Sequence, residues 1–114
     1  MLINAAQDYA LRMCCHLARH GGTASSKEIS KATGAPRDYL IQLAQHLREA
    51  GIVEGMAGKH GGYRLAKAPW EVSVLAVMEA VYETGEARKL GAEAGYAERQ
   101  ALDVLDGITL LEAM

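Results

Sequence analysis

The side chains best suited to chemistry lie between residues 25 and 65, and their types suit the recognition of a polyanion. Gln42 and Gln45 stand three residues apart in a helical pattern, and a glutamine can pair with adenine through two hydrogen bonds. Arg37 precedes them and can contact guanine or a phosphate. Lys59 and His60 lie among three glycines, which allow a cation to approach a sugar–phosphate backbone closely. These residues predict a surface that contacts double-stranded DNA.

The predicted contact surface takes residues from two helices and from the hairpin that contains the glycine-rich loop. Its members are Ser26, Lys27, Arg37, Asp38, Tyr39, Gln42, Gln45, Lys59, His60 and Arg64. The polar helix face also fits an ordinary solvated surface, and the loop also fits a flexible hairpin tip. The occurrence of both features in one short stretch favours the DNA-binding interpretation.

Two helices and a hairpin must position these side chains. Ser25 and Glu28 have the spacing of a capping box, in which the hydroxyl and the carboxylate each accept a hydrogen bond from a backbone amide. Gly34 suits the left-handed residue that follows a helix. The first helix of the pair is therefore predicted from Ser26 to Thr33.

The second helix is predicted with Pro36 in its first turn and Gly51 at its end. Its apolar stripe has helical spacing and consists of Leu40, Leu43, Ala44 and Leu47. Two short strands follow, at residues 52–54 and 63–65, on either side of the glycine-rich loop. The order of helix, turn, helix and hairpin predicts a winged helix-turn-helix.

A longer helix is predicted ahead of this unit, from Asn4 to His20, with Asn4 as its N-cap. Cys14 falls on its apolar stripe and Cys15 lies beside it. Neighbouring residues of one helix point in different directions, so the pair does not form a disulfide. Packing is the favoured role, and a redox-active thiol sensor at Cys14 and Cys15 is the alternative.

The remainder of the chain predicts a helix capped by Ser73, a loop at residues 83–95, a helix at 96–106 and a last turn capped by Thr109 and Glu112. Several apolar residues near this end, at positions 102, 105, 108, 110 and 111, have no obvious partner within so small a chain. A second copy of the chain could cover them. The predicted dimerisation residues are Tyr96, Ala101, Leu102, Leu105 and Ile108.

The charge of the chain is unevenly divided. Its 114 residues carry a formal charge of −2, but residues 1–69 hold nine Lys and Arg against five acids, whereas residues 70–114 hold three against nine. The balances are +4 and −6, and the basic part coincides with the predicted DNA-binding region at 1–69. The acidic part, 70–114, is the predicted helical extension and dimerisation region of one compact, mostly α domain.

Other classes of function find little support in the residues. No stretch is long and apolar enough for a membrane span and no leader is recognisable, so a cytoplasmic location is expected. The four histidines show no metal-ligand spacing that a helix surface or the wing does not already explain, and no nucleophile lies beside a base. We therefore expect no metal, no cofactor and no enzymatic activity.

Several segments resemble the Rrf2 family of bacterial winged-helix transcription regulators, the IscR, NsrR and CymR type. The matching segments are Asp8 to Leu11, Tyr39 to Val53, Gly58 together with Gly61 to Ala66, and Leu105 to Leu110. The resemblance implies a homodimer that places two winged helices on a two-fold DNA site, with the helix at 96–106 crossing its mate. It thereby implies sequence-specific regulation of transcription, with repression as the expected direction.

One departure from the family concerns iron. Members that carry an iron–sulfur cluster have three cysteines in the loop before the dimer helix, whereas residues 85–97 of this chain contain neither Cys nor His. The expected regulator is therefore one without a cluster. An alternative from another class is a winged helix used for protein interaction, which senses a metabolic enzyme as its regulatory partner.

Overall fold

The computed structural model describes residues 4–81 and 108–113. Within these ranges the chain is mostly helical, with one two-stranded sheet. The elements are α1 Ala5–His20, α2 Ser26–Thr33, α3 Arg37–Glu49, β1 Val53–Met56, β2 Gly62–Leu65, a 3₁₀ helix Pro69–Glu71, α4 Val74–Ala80 and α5 Leu110–Ala113. This order confirms the predicted winged helix-turn-helix.

The beginnings of α1 and α2 are fixed by local hydrogen bonds. At α1 the Asn4 side chain accepts from the Gln7 amide and Gln7 accepts from the Asn4 amide, which completes a capping box. At α2 the Ser25 hydroxyl accepts from the Glu28 amide at 3.1 Å. The predicted second half of that box was wrong, because the Glu28 carboxylate lies beside His16 and His20 of α1 instead.

Helix α3 starts one residue later than predicted. Pro36 has an extended ψ of 139° and occupies the N-cap position, so the first helical residue is Arg37. The predicted end is confirmed, since Gly51 adopts a φ of 76°. The Gly51 amide donates to the Arg48 carbonyl and the Ile52 amide to the Leu47 carbonyl, which is the Schellman pattern.

Ile52 is consequently not the first residue of a strand, as the sequence predicted, but part of the helix end. Strand β1 begins at Val53 and continues to Met56, which leaves residues 57–61 for the turn. Strand β2 runs antiparallel to it, with Glu54 opposite Arg64 and Gly55 opposite Tyr63. We refer to this hairpin, residues 53–65, as the wing.

The wing is attached to the segment that leads into α2. Ala24 and Tyr63 exchange two backbone hydrogen bonds of 2.9 Å. The approach is so close that a Cβ on Gly62 would collide with the Ala24 carbonyl oxygen, and Gly62 has a φ of 151°. Glycine is therefore required at this position, and the wing and α2 are held as one unit.

The core lies between α1, α3 and the elements that follow the wing. Its largest fully buried side chains include Met13, Ile29, Leu40, Leu47 and Leu110. The predicted stripe of α3 is thus confirmed as the buried face. Cys14 is fully buried in the same core.

The C-terminal segment docks against the start of α4. Ser73 caps α4 by accepting from the Ala76 amide, as predicted. The Val74 amide donates to the Ile108 carbonyl, and the Leu110 amide donates to Val72. The expectation that Leu110 lacks a partner within one chain was wrong, because its side chain is completely buried.

The other residues predicted for dimerisation have different positions. Ile108 is half-buried, and Leu111 is 52% exposed. The predicted helix at 96–106, with Tyr96, Ala101, Leu102 and Leu105, lies outside the described residues. No helix in the described part of the chain is long and apolar enough to cross a membrane.

Candidate nucleic-acid interface

A cleft of about 520 Å³ lies where the start of α2, one face of α3 and the wing meet. Three cationic side chains line it, Arg37 and Arg48 from α3 and Lys59 from the wing, together with backbone of the wing glycines. Among the described residues, none that lines the cleft is acidic. A concave surface with several cations and exposed glycine backbone suits an extended chain of phosphates.

Arg37 is held in place at the cleft. Its Nε donates to the Ser26 hydroxyl at 2.9 Å, which connects the first residue of α3 to the first residue of α2. The amides at the start of α2 also provide the positive end of a helix dipole nearby. Arg37 is therefore held in a fixed position at the cleft rather than moving freely in solvent.

The outward face of α3 continues from the cleft and carries the two glutamines. Gln42 is exposed and makes no side-chain hydrogen bond within residues 4–81 and 108–113. Gln45 donates to Glu49 at 3.2 Å and accepts weakly from Arg48. Ile41, 41% exposed, shares this surface. The side-chain amide of Gln42 is thus available to form hydrogen bonds with a base edge. The side-chain amide of Gln45 would first have to give up its hydrogen bonds with Glu49 and Arg48.

The structure places the remaining predicted contacts in different surroundings. Lys27, Asp38 and His60 are exposed. Tyr39 is half-buried and packs edge-on against Tyr9, with ring centroids 5.9 Å apart. The Tyr39 ring is therefore used in packing α3 against α1.

Arg64 does not join the cleft. Its Nε lies 2.9 Å from Glu54 on the neighbouring strand. Tyr63 lines the cleft, whereas Arg64 lines a separate depression with Leu17 and Gly21, as expected for successive residues of a strand. The structure therefore brings Ser26, Arg37 and Lys59 together and leaves Arg64 on the other face of the wing.

Arg48 was not among the predicted contact residues, although it lines the cleft. It stands eleven residues after Arg37, which is close to three helical turns, so both arginines share one face of α3. That spacing was the available signal. Its proximity to the wing depends on tertiary packing, in which the Arg48 side chain lies against Gly55.

The two cysteines have surroundings that disfavour thiolates. Burial raises the pKa of Cys14, and the neighbouring Cys15 raises it further. Burial also raises the pKa of Cys15, which Arg19 partly offsets. A thiol is a poor nucleophile and a poor metal ligand, so these surroundings favour packing over the sensor hypothesis.

Comparisons with known proteins agree with this architecture. The family model of Rrf2, described as an iron-dependent transcriptional regulator, matches residues 3–102. IscR of Aliivibrio salmonicida is 35% identical over 97 residues, which cover 83% of this chain and 58% of that protein. IscR of Cereibacter sphaeroides is 44% identical over 70 residues, or 61% of this chain and 45% of that protein.

Solved structures show the same similarity. CymR (YrzC), the global cysteine regulator of B. subtilis, superposes with a TM-score of 0.80 at 26% identity and covers 99% of this chain and 95% of its own. IscR of T. potens superposes with a TM-score of 0.79 at 27% identity, and the match covers 99% of this chain and 85% of that chain. The chain spans about half the length of the curated relatives it matches. Because the family model extends over most of the sequence and the fold agrees, the chain belongs to the Rrf2 family of transcriptional regulators.

Proposed function

We propose that this chain is a dimeric, sequence-specific DNA-binding repressor of the Rrf2 type. The observation that carries the proposal is the cation-lined cleft of Arg37, Arg48 and Lys59 beside the exposed glutamine face of α3. The cleft suits the phosphate backbone, and the adjoining helix face suits base edges in the major groove. The basic balance of residues 1–69 supports the same assignment.

The test is selection of bound fragments from genomic DNA by the purified full chain, followed by gel shifts at increasing salt. Three phosphate-contacting cations per protomer predict a slope of log affinity against log salt of about −3 for each protomer, at about −0.9 per contact. Selection of a two-fold sequence supports the proposal. Binding that is independent of both sequence and salt would refute it.

Repression is part of the proposal because a dimer that covers an operator can exclude other proteins from the same DNA. A reporter placed behind a selected fragment measures the direction, with the empty vector as the control. Reporter output that falls when the chain is expressed supports repression. An increase would identify an activator.

We include the absence of an iron–sulfur cluster in this proposal, although the family description names iron. Clusters are held by cysteine thiolates, and the two cysteines of this sequence are Cys14 and Cys15. The Cys14 side chain is fully buried with a raised pKa, and the adjacent residue points elsewhere on the helix. The residues present do not fit a cluster. Iron and sulfide in stoichiometric amounts in the purified chain would contradict this.

A second candidate is docking of a regulatory protein. It is favoured by Trp70, 63% exposed on the 3₁₀ helix, and by Leu111, 52% exposed on α5, because these two elements pack against each other. Exposed large apolar side chains on adjoining elements suit a protein contact. If the purified chain binds DNA only with a co-purifying protein, this function becomes the principal one.

A further inference from the structure

Three side chains with metal-binding chemistry meet on the face of α1 that is turned toward the start of α2. His16 and His20 stand one helical turn apart with stacked rings, and Glu28 of α2 lies opposite them. The Glu28 Oε1 atom is 3.9 Å from His16 Nε2 and 3.6 Å from His20 Nδ1. One ligand atom from each of the three residues lies within 4.8 Å of the others.

The sequence alone predicts no metal site among the histidines. It assigns Glu28 to the N-terminal cap of its own helix, and only the packing of α2 on α1 brings the Glu28 carboxylate to the histidine pair. The i, i+4 spacing of His16 and His20 is itself a known arrangement for two ligands on one helix face.

The hydrogen bonds of His20 orient it as a ligand. Its Nε2 lies 3.1 Å from the Thr23 carbonyl oxygen. A carbonyl oxygen can only accept, so Nε2 carries the hydrogen and, in the neutral ring, the lone pair is on Nδ1, which faces Glu28. A backbone carbonyl that holds the second nitrogen is the usual support of a metal-bound histidine.

His16 supplies an independent indication. Its Nε2 atom is buried and has no hydrogen-bond partner in the described part of the chain. A buried polar atom without a partner is unfavourable. The Glu28 carboxylate, 3.9 Å away, is too distant for a hydrogen bond. A cation between the three side chains would provide the missing partner.

We propose that His16, His20 and Glu28 bind one divalent first-row transition metal ion. Two imidazole nitrogens and one carboxylate oxygen suit Zn²⁺ or Fe²⁺, whereas Mg²⁺ and Ca²⁺ require more oxygen ligands. Ligands of a tetrahedral ion lie about 3.4 Å apart, so small side-chain rotations close the observed distances. The Glu28 side chain is 46% exposed, which leaves an entry path and room for water as a further ligand.

Metal binding at this site would affect the DNA-binding surface through α2. This extension of the proposal rests on the proposed function. A metal ion would tie α1 to the first turn of α2. That turn also contains Ser26, whose hydroxyl holds Arg37 at the cleft. Binding of the ion would therefore fix the element that orients one side of the cleft, and we expect DNA affinity to rise with metal.

The site is tested by calorimetric titration of the chelator-treated full chain with Zn²⁺, and with Fe²⁺ under anaerobic conditions. We expect one equivalent to bind. Glu28→Gln and the double variant His16→Gln/His20→Gln should each weaken binding at least tenfold, whereas His46→Gln and Cys15→Ser should bind normally. Unchanged binding in Glu28→Gln, or loss in the cysteine variant, would overturn the assignment.

Two further measurements separate the possible failures. Circular dichroism of the metal-free Glu28→Gln variant tests whether it is folded. We expect a folded protein, because the substitution is isosteric and lies at the surface. Co²⁺ in place of Zn²⁺ should show a spectrum of nitrogen and oxygen ligands without a thiolate charge-transfer band. Metal binding with unchanged DNA affinity would refute only the coupling, and metal binding by a chain that binds no DNA would refute only the proposed function.

Discussion

At the scale of single residues, Lys59 is the cation that the wing contributes to the cleft. Lys59 is exposed at the wing tip and lines the cleft, so we expect it to contact a phosphate rather than a base. Lys59→Ala should weaken binding to all DNA sequences alike and reduce the salt slope by about 1. Fluorescence anisotropy on a selected site and on random DNA, each at several salt concentrations, measures both quantities.

The matched control is Lys67→Ala. Lys67 is also an exposed lysine, but it lines the depression on the other face of the wing. Its substitution should leave the salt slope unchanged. Equal effects of the two lysine substitutions would mean that the cleft has no special role and that only the overall charge matters.

Gln42 should act differently, because its free amide is on the outward face of α3. A bidentate pair with a base contributes about 1–3 kcal/mol of discrimination. Gln42→Ala should therefore relax the preference at one base position and leave binding to random DNA unchanged. Repeating the site selection with the variant tests this. An unchanged consensus would remove Gln42 from the reading surface.

Cys14 provides a prediction for alkaline stability. Its pKa in the folded chain is raised above the ordinary value of 9.0 by burial and by Cys15. Above pH 9.0 the unfolded chain loses the thiol proton first, so it binds fewer protons than the folded chain and stability falls as pH rises. Below that pH the contribution of Cys14 is constant.

Urea unfolding of wild type and Cys14→Ala at pH 7 to 10.5 measures the effect. The variant should be less stable near neutrality, because a buried side chain has been truncated, but its stability should decline less steeply above pH 9.0. Parallel decline in the two proteins would show that other groups cause the alkaline loss.

At the scale of elements, the junction between the wing and α2 depends on Gly62. A Cβ there would collide with the Ala24 carbonyl, and its φ is positive. Gly62→Ala should break the backbone bridge between Ala24 and Tyr63 and destabilise the fold by about 1–3 kcal/mol. DNA affinity should fall further, because the wing would no longer be held beside α2.

Gly55→Ala is the matched control. Gly55 is in the same hairpin, but the nearest atoms to an added Cβ belong to the flexible Arg48 side chain, at 3.4 Å or more. Urea unfolding of both variants should show a loss in Gly62→Ala alone. Similar stability of the two alanine variants would contradict the proposed rigid junction.

The elements also show what could be predicted from sequence. Asn4, Ser25 and Ser73 were identified as N-caps because a cap is decided by residues three positions apart. Leu110 was wrongly expected to lack a partner within the chain, because Val72, to which it is hydrogen-bonded, lies far away along the sequence. Sequence patterns therefore predict local hydrogen bonds well, but they do not predict which distant segment of the chain covers an apolar side chain.

The same limit applies to the candidate sites. The glutamine face of α3 was predictable, because helical spacing defines it. The cation of the wing was predictable from its residue type and its position among glycines. The contribution of Arg48 to the cleft, the pairing of Arg64 with Glu54 and the approach of Glu28 to two histidines were not. Each of these depends on how two elements pack, which no local pattern encodes.

At the scale of the whole molecule, the proposed dimer would bring two basic parts to one DNA duplex. Residues 1–69 carry a balance of +4 and residues 70–114 one of −6, so a dimer joined through residues 70–114 would leave both cation-lined clefts available. Two clefts related by a two-fold axis require two half-sites on the same side of the DNA, about one helical turn or a multiple of it apart.

Spacing of the half-sites therefore tests the dimer. Insertion of about 5 bp between the halves of a selected site turns one half to the opposite side of the duplex, whereas about 10 bp restores the side. We expect the shorter insertion to reduce affinity toward that of a single half-site, and the longer one to recover part of it. Gel shifts on the three duplexes, with light scattering of the free chain, measure the effect. Equal affinity for all three duplexes would mean that each winged helix binds DNA on its own.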